Sequence, residues 1–157
     1  MKKTIQLSQI EVATILDGAV EIEDEVLTFL DVQAEEIVCL QTFLIGMVEA
    51  ERTPGYEDPD ELELVKAYIE DPDRFVQISP IGSSQAYGWR WSFAETLPEV
   101  QSKEVHLLLD GAGAFSRFNR YISDDSNLAK AWELYECKAM EEYLQELVPE
   151  GVKIELV

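Results

Sequence analysis

The chain reads as an α+β protein of one domain, residues 1–157, in which a small antiparallel sheet, an N-terminal hairpin plus short strands, packs against helices of the C-terminal half. Three observations predict this. Two β-prone runs, residues 25–30 and 36–40, stand close together near the start. From Ser83 onward apolar residues recur at helical spacing. With 157 residues, 46% of them hydrophobic and 10% aromatic, the chain can build its own core, burying about two-thirds of the surface its unfolded form exposes.

The elements follow in order. Ser8 is the expected N-cap of a helix reaching residue 17, with Glu11 at the third position of a capping box and Leu7, Ile10, Val12, Ile15 and Leu16 as its apolar face; Gly18 stops it. Residues 31–35 join the two β-prone runs as a hairpin turn without glycine. Residues 42–50 are apolar without clean alternation, so an extension of the second strand and a short helix fit equally. Prolines, a glycine and charges make residues 52–60 an exposed loop, ending in an Asp60 cap for a helix through residue 69. Residues 74–80 give a short strand with Val76 and Ile78 on one face, ended by Pro80 and Gly82.

Ser83 or Ser84 then caps a helix to residue 97, with Tyr87, Trp91, Ala94 and Leu97 on one stripe and Ala86, Trp89 and Phe93 on the next. Trp89 and Trp91 differ by about 200° of helical angle, so one of them is expected at a groove or partner surface. Pro98 opens a helix over residues 99–109, which stops at Gly111-Ala112-Gly113, a C-cap and close helix–helix turn. Ser126 or Asn127 caps a long final helix whose stripe is Leu128, Trp132, Tyr135, Ala139, Tyr143 and Leu147. Pro149 and Gly151 end it, and residues 152–156 alternate as a closing strand available to the sheet.

Charge sets the sign of any partner. Against 32 acids stand 12 bases, a net −20, with −13 falling in residues 1–70 and −7 after them. Such a surface repels phosphate backbones and anionic membranes, so direct nucleic-acid binding is not expected, while a basic protein partner would be steered in. No segment approaches the roughly 20 apolar residues of a membrane span. The opening MKKTIQLSQI lacks an apolar run, so no secretory signal is expected and the cytoplasm is the expected compartment. Cys39 and Cys137 stand alone in apolar surroundings and read as reduced, buried or half-buried thiols.

Chemistry-bearing patterns are sparse. The acids Glu57, Asp58, Asp60, Glu61 and Glu63 lack the alternating oxygen ligands and central glycine of a calcium loop, and Glu21, Glu23, Asp24 and Glu25 read the same way, as solvated charge. Gly111-Ala-Gly113 is no phosphate loop, since Ser116 stands where the third glycine belongs. His106, the one histidine, lies four residues before Asp110, which is placed to orient it; no nucleophile accompanies it, so it reads as structural. No catalytic, metal or cofactor residue is assigned. The candidate contacts for an anion or partner are Arg74, Arg90, Arg117, Arg120 and Trp89, with Arg117 and either Arg74 or Arg120 as the one arrangement able to grip an anion.

Successive motifs mark the second half: Arg74-Phe-Val-Gln-Ile, Pro80-Ile-Gly-Ser-Ser-Gln-Ala-Tyr, Phe93-Ala-Glu-Thr, Gly111-Ala-Gly-Ala-Phe-Ser-Arg-Phe and Trp132-Glu-Leu-Tyr. In this order they resemble the motifs of the uncharacterised protein family number one-five-eight, a set of small bacterial proteins, and the hairpin at residues 27–38 is similar to that family's start. The resemblance spans nearly the whole chain and is strongest from residue 74 to residue 143. It implies a domain type with no assigned activity. It also implies basic residues between the two glycines and before the Arg-Phe pair, where this chain has Ala112 and Ser116, leaving Arg117 and Arg120 as the local cations. The function expected is a non-enzymatic acidic interaction or adaptor module; a small-anion binder or enzyme using the arginines, and a mimic of nucleic-acid charge, are the alternatives.

Overall fold

The computed structural model describes residues 3–17, 26–52 and 58–157. The chain is α+β and forms two compact units, Met1–Pro80 with Leu144–Val157, and Ile81–Tyr143. The first unit runs β1 (Lys3–Leu7), α1 (Gln9–Leu16), β2 (Val26–Asp31), β3 (Glu36–Gln41), α2 (Thr42–Glu49), α3 (Pro59–Glu70), a single 3-10 turn at Pro72–Arg74 and β4 (Phe75–Gln77). The second runs α4 (Ser83–Glu95), α5 (Glu99–Leu108), α6 (Ala114–Ser123) and α7 (Ser126–Leu147), whose last turn returns to the first unit before β5 (Val152–Leu156).

In the first unit the expected hairpin is present, β2 pairing antiparallel with β3 in the register Thr28 to Cys39, and β4 adds on the other side of β2 to give the order β3-β2-β4. Alternation turns Phe29, Val38, Leu40 and Phe75 to one apolar layer. The helices that cover this layer are α2 and α3, through Leu44 and Val65, a nearer source than the second-half helices assigned from the sequence. Phe29, Tyr68 and Phe75 meet in tilted and edge-to-face contacts with centroids 5.0 to 6.3 Å apart. On β4 the buried residue is Phe75, opposite in phase to Val76, and Ile78 is buried just past the strand end.

The closing strand does not join this sheet. It pairs parallel with β1, Ile5 beside Ile154 and Leu7 beside Leu156, all four buried. The alternation of Lys3-Thr-Ile-Gln-Leu was the sequence signal for β1, hidden by its position before the Ser8 cap. Gln145 of α7 fixes β5 by donating to the Val152 carbonyl at 2.6 Å and accepting from the Ile154 amide at 3.0 Å.

Capping differs from expectation at three helices. The first behaves as read: Ser8 Oγ accepts from the Glu11 amide. At α3 the cap is Asp58 rather than Asp60, because Pro59 has no N–H to satisfy and the Asp58 carboxylate reaches the Asp60 amide at 2.9 Å. At α4 neither serine caps; Gly82 occupies that position with no side-chain bond. At α7 the Asp125 carboxylate accepts from the Asn127 and Leu128 amides, one residue before the serine read as the cap. The Gly18 stop, the acids at 21–25, Glu57 and most of the 52–60 loop lie outside the described residues.

The second unit closes around Phe93, Ala94, Val105, Leu109, Ala114, Phe118, Ile122 and Leu128, with Trp132 and Tyr135 against them. Helix α6 shows the cause plainly: Ala114, Phe118 and Ile122 recur every four residues and are all buried. Trp132 meets Phe118 and Phe93 edge-on at 5.0 and 5.2 Å. Farther along α7 the buried positions are Met140 and Leu144, while Leu147 is exposed, since a helix with 3.6 residues per turn carries a fixed stripe out of phase over six turns.

A carboxylate is sealed into the first unit. Asp31 has no exposed surface, and Arg74 grips both its oxygens at 2.8 and 2.7 Å. Burial by itself would raise the Asp31 pKa, but the Arg74 guanidinium and the Ala34 and Gln33 amides outweigh it and hold it below 3.8. The stability this gives is therefore complete above the unfolded value near 3.8 and is lost as pH falls through the lower folded value. Arg74→Ala, leaving a buried carboxylate unpaired, is expected to cost about 3 kcal/mol by urea denaturation at neutral pH. In Asp31→Asn the part of the acid-unfolding curve that belongs to this site should vanish. In the second unit Trp132→Ala is expected to cost about 3 kcal/mol, and an unchanged melting temperature would place its ring outside the core.

Candidate functional site

The second unit carries a cleft between α4 and α5, built from residues one helical turn apart. Tyr87 and Trp91 stand at i and i+4 on α4 with rings stacked at 6.1 Å, and Trp91 lies against the His106 ring of α5 at 4.1 Å. Tyr87, Trp91, Lys103, His106, Leu107 and Asp110 line a cleft of about 580 Å³. Around it large apolar side chains face solvent: Trp91 is 39% exposed, Val100 71% and Leu107 75%. A hollow of about 510 Å³ adjoins it through Tyr87, floored by Leu109 and the Gly111 to Phe115 turn.

Backbone hydrogen bonds fix the walls. The Tyr87 hydroxyl donates to the Leu109 carbonyl at 2.8 Å. Arg117 turns back along α6 and donates from all three guanidinium nitrogens to carbonyls at the end of α5 and in the turn after it: Leu108 at 3.0 Å, Asp110 at 2.8 Å and Ala112 at 2.6 Å. Helix C-termini leave such carbonyls unpaired, and a cation there also meets the negative end of the helix dipole. Gly111 and Gly113 take φ of 81° and 80°, which lets the chain double back so tightly. Gly113 is the helix–helix turn residue read from the sequence.

The sequence-derived candidates are described within their own units. Arg74 is spent on Asp31, with its guanidinium also 5.0 Å from the Phe75 ring centre. Arg90 lies over the Phe115, Phe118 and Trp132 rings at 4.6 to 5.4 Å and donates to the Ala86 carbonyl. Arg117 caps α5, and Arg120 is exposed on the last turn of α6. Of the arginines expected to grip an anion, Arg74 and Arg117 each already have acceptors within their own unit. Trp89 is half-buried, edge-on to Tyr143 at 6.5 Å, and the tryptophan at the groove is Trp91.

His106 is not oriented by Asp110; its Nδ1 lies 3.5 Å from Ser102 Oγ, and its Nε2 is shut from solvent with no hydrogen-bond partner among the described residues. Tyr121 donates to Glu104 at 2.6 Å, and that bond, with burial adding to it, pushes the phenol up to about 12. Both thiols are free, Cys137 half-buried as expected and Cys39 exposed, because strand alternation turns it opposite to Val38 and Leu40. Burial and the charges of Glu141, Glu133 and Glu136 push the Cys137 thiol up, away from nucleophilic use. Among the described residues no group of three or more His, Cys, Asp or Glu side chains is placed to hold a metal ion, and no helix is long and apolar enough to cross a membrane.

The sequence reading left Trp91 as one of two tryptophans expected at a groove and set Asp110 beside His106, but it did not single out Lys103 or Leu107 of the cleft, nor the exposed Val100. The available signal was the spacing of Val100 and Leu107, seven apart and out of phase with the buried Val105 and Leu109. Comparison with models of protein families, with curated proteins and with solved structures gives no significant match.

Gly113 ties this geometry together, since a Cβ there would meet Arg117 Nη1 at 3.0 Å as well as adopt an unfavourable φ. Gly113→Val is expected to lower stability by more than about 1 kcal/mol. A urea midpoint equal to that of the parent chain would show that the turn does not depend on it.

Proposed function

We propose that this chain is a non-enzymatic acidic interaction module of the cytoplasm that docks a basic protein partner through the α4–α5 groove. One observation carries the reading: Trp91, Val100 and Leu107 hold large apolar surface in solvent beside a cleft whose aromatic walls are already fixed by hydrogen bonds and ring contacts. Burying such preorganised surface is what a partner would gain, with little ordering cost. The net charge of −20 supports a basic partner, because the long-range field speeds its encounter and repels acidic competitors. An anion-binding or enzymatic role through the arginines draws little support, with Arg74, Arg90 and Arg117 each engaged internally. Membership of family one-five-eight belongs to this proposal and rests on the motif likeness between residues 74 and 143.

A photoactivatable residue placed at Leu107 should give a covalent adduct to a basic protein in cells, lost in Trp91→Ala, while the same residue at Glu142, exposed on α7, should not. Adducts in equal yield from both positions would sink the reading.

A further inference from the structure

Resting on the α4–α5 groove as the docking surface, we propose that its cleft receives an arginine side chain of the basic partner, with the stem along Leu107 and the aromatic wall of Tyr87, Trp91 and His106, and the guanidinium paired with Asp110. Three features select this occupant. The local charge is negative: Glu95, Glu99, Glu104 and Asp110 stand near two cations that are already engaged, Lys103 by Glu99 at 3.2 Å and Arg117 by the Leu108, Asp110 and Ala112 carbonyls. Glu104 keeps its position through the Tyr121 hydroxyl. A carboxylate or phosphate group would enter against these charges, and a purely apolar group would desolvate Asp110 without return.

The walls are aromatic, and an aromatic wall beside a carboxylate suits a guanidinium better than an ammonium. The planar fork can lie on a ring and still donate two parallel hydrogen bonds, whereas lysine offers a compact, strongly hydrated charge. The chain makes this double contact within its own first unit, where the Arg74 guanidinium pairs with Asp31 and sits 5.0 Å from the Phe75 ring centre. Position is also fixed in advance: the Asp110 carbonyl is held by Arg117, and the Tyr87 ring by the Leu109 carbonyl. The guanidinium would find its carboxylate on a backbone that need not reorganise.

The test uses the intact chain and N-acetyl-arginine amide as probe, read by NMR. His106 is the only histidine, so its ring gives one unambiguous signal in the cleft wall. A saturable shift of that signal at millimolar probe is expected, with binding about tenfold weaker in Asp110→Asn and for the citrulline analogue, which keeps the shape and loses the charge. Glu146→Gln, a charge change on exposed α7, should bind as the parent does. Among the described residues the hydrogen bonds of Asp110 are made by its backbone, so Asp110→Asn should keep the parent circular dichroism and melting temperature. A shift that does not saturate, or one equally strong for citrulline or in Asp110→Asn, would overturn the arginine anchor. That failure is separable from failure of the docking reading, which the Leu107 adduct decides by itself.

Discussion

Three carbonyls converge on the Arg117 guanidinium, and the geometry of the cleft follows from that convergence. Without it, the end of α5 would present unpaired oxygens to solvent just where the chain must reverse. With it, the carbonyls of Leu108, Asp110 and Ala112 share one donor group, Leu109 offers its carbonyl to Tyr87, and Asp110 lines the cleft. Two glycines with positive φ make the reversal possible, and the side chain of the residue four beyond Gly113 locks it. A turn and a cap thus position a surface that neither of them forms.

The same economy governs the other cations. In a chain of net −20, arginines would be expected to pair with surface carboxylates, in contacts worth little because water screens them. Here three of them, each half-buried, do structural work instead. Arg74 neutralises the one fully buried acid among the described residues, Arg90 lies over three rings, and Arg117 closes a helix. Most of the acids are left to solvent, which keeps the long-range field intact. Acidity and aromatic exposure then act on different scales, the first on encounter and the second on fit.

Much of the fold was legible. The hairpin could be read from residues 25–40 because alternation and strand length are local properties, and the apolar period of the early part of α7 gave the face that meets the core. The glycine turn was legible because few residues other than glycine tolerate its backbone. Caps were misplaced by one or two residues wherever neighbouring Ser, Asp and Asn competed, since the winner depends on which side chain reaches an amide. The partner of β5 could not be read at all: β1 lies at the other end of the chain, and a parallel pair leaves no turn signature.

The sequence by itself determined the α+β class, the sign and size of the charge, the hairpin, the helical second half and the Gly113 turn, all of which depend on composition or on residues a few positions apart. Only the tertiary structure decided which arginines were spent, which tryptophan met solvent, and that Tyr87, Trp91, His106, Leu107 and Asp110 share one cleft. Those outcomes rest on contacts between helices distant in sequence. There a ring's exposure or a guanidinium's partner is set by what the neighbouring helix presents, and no local period encodes it.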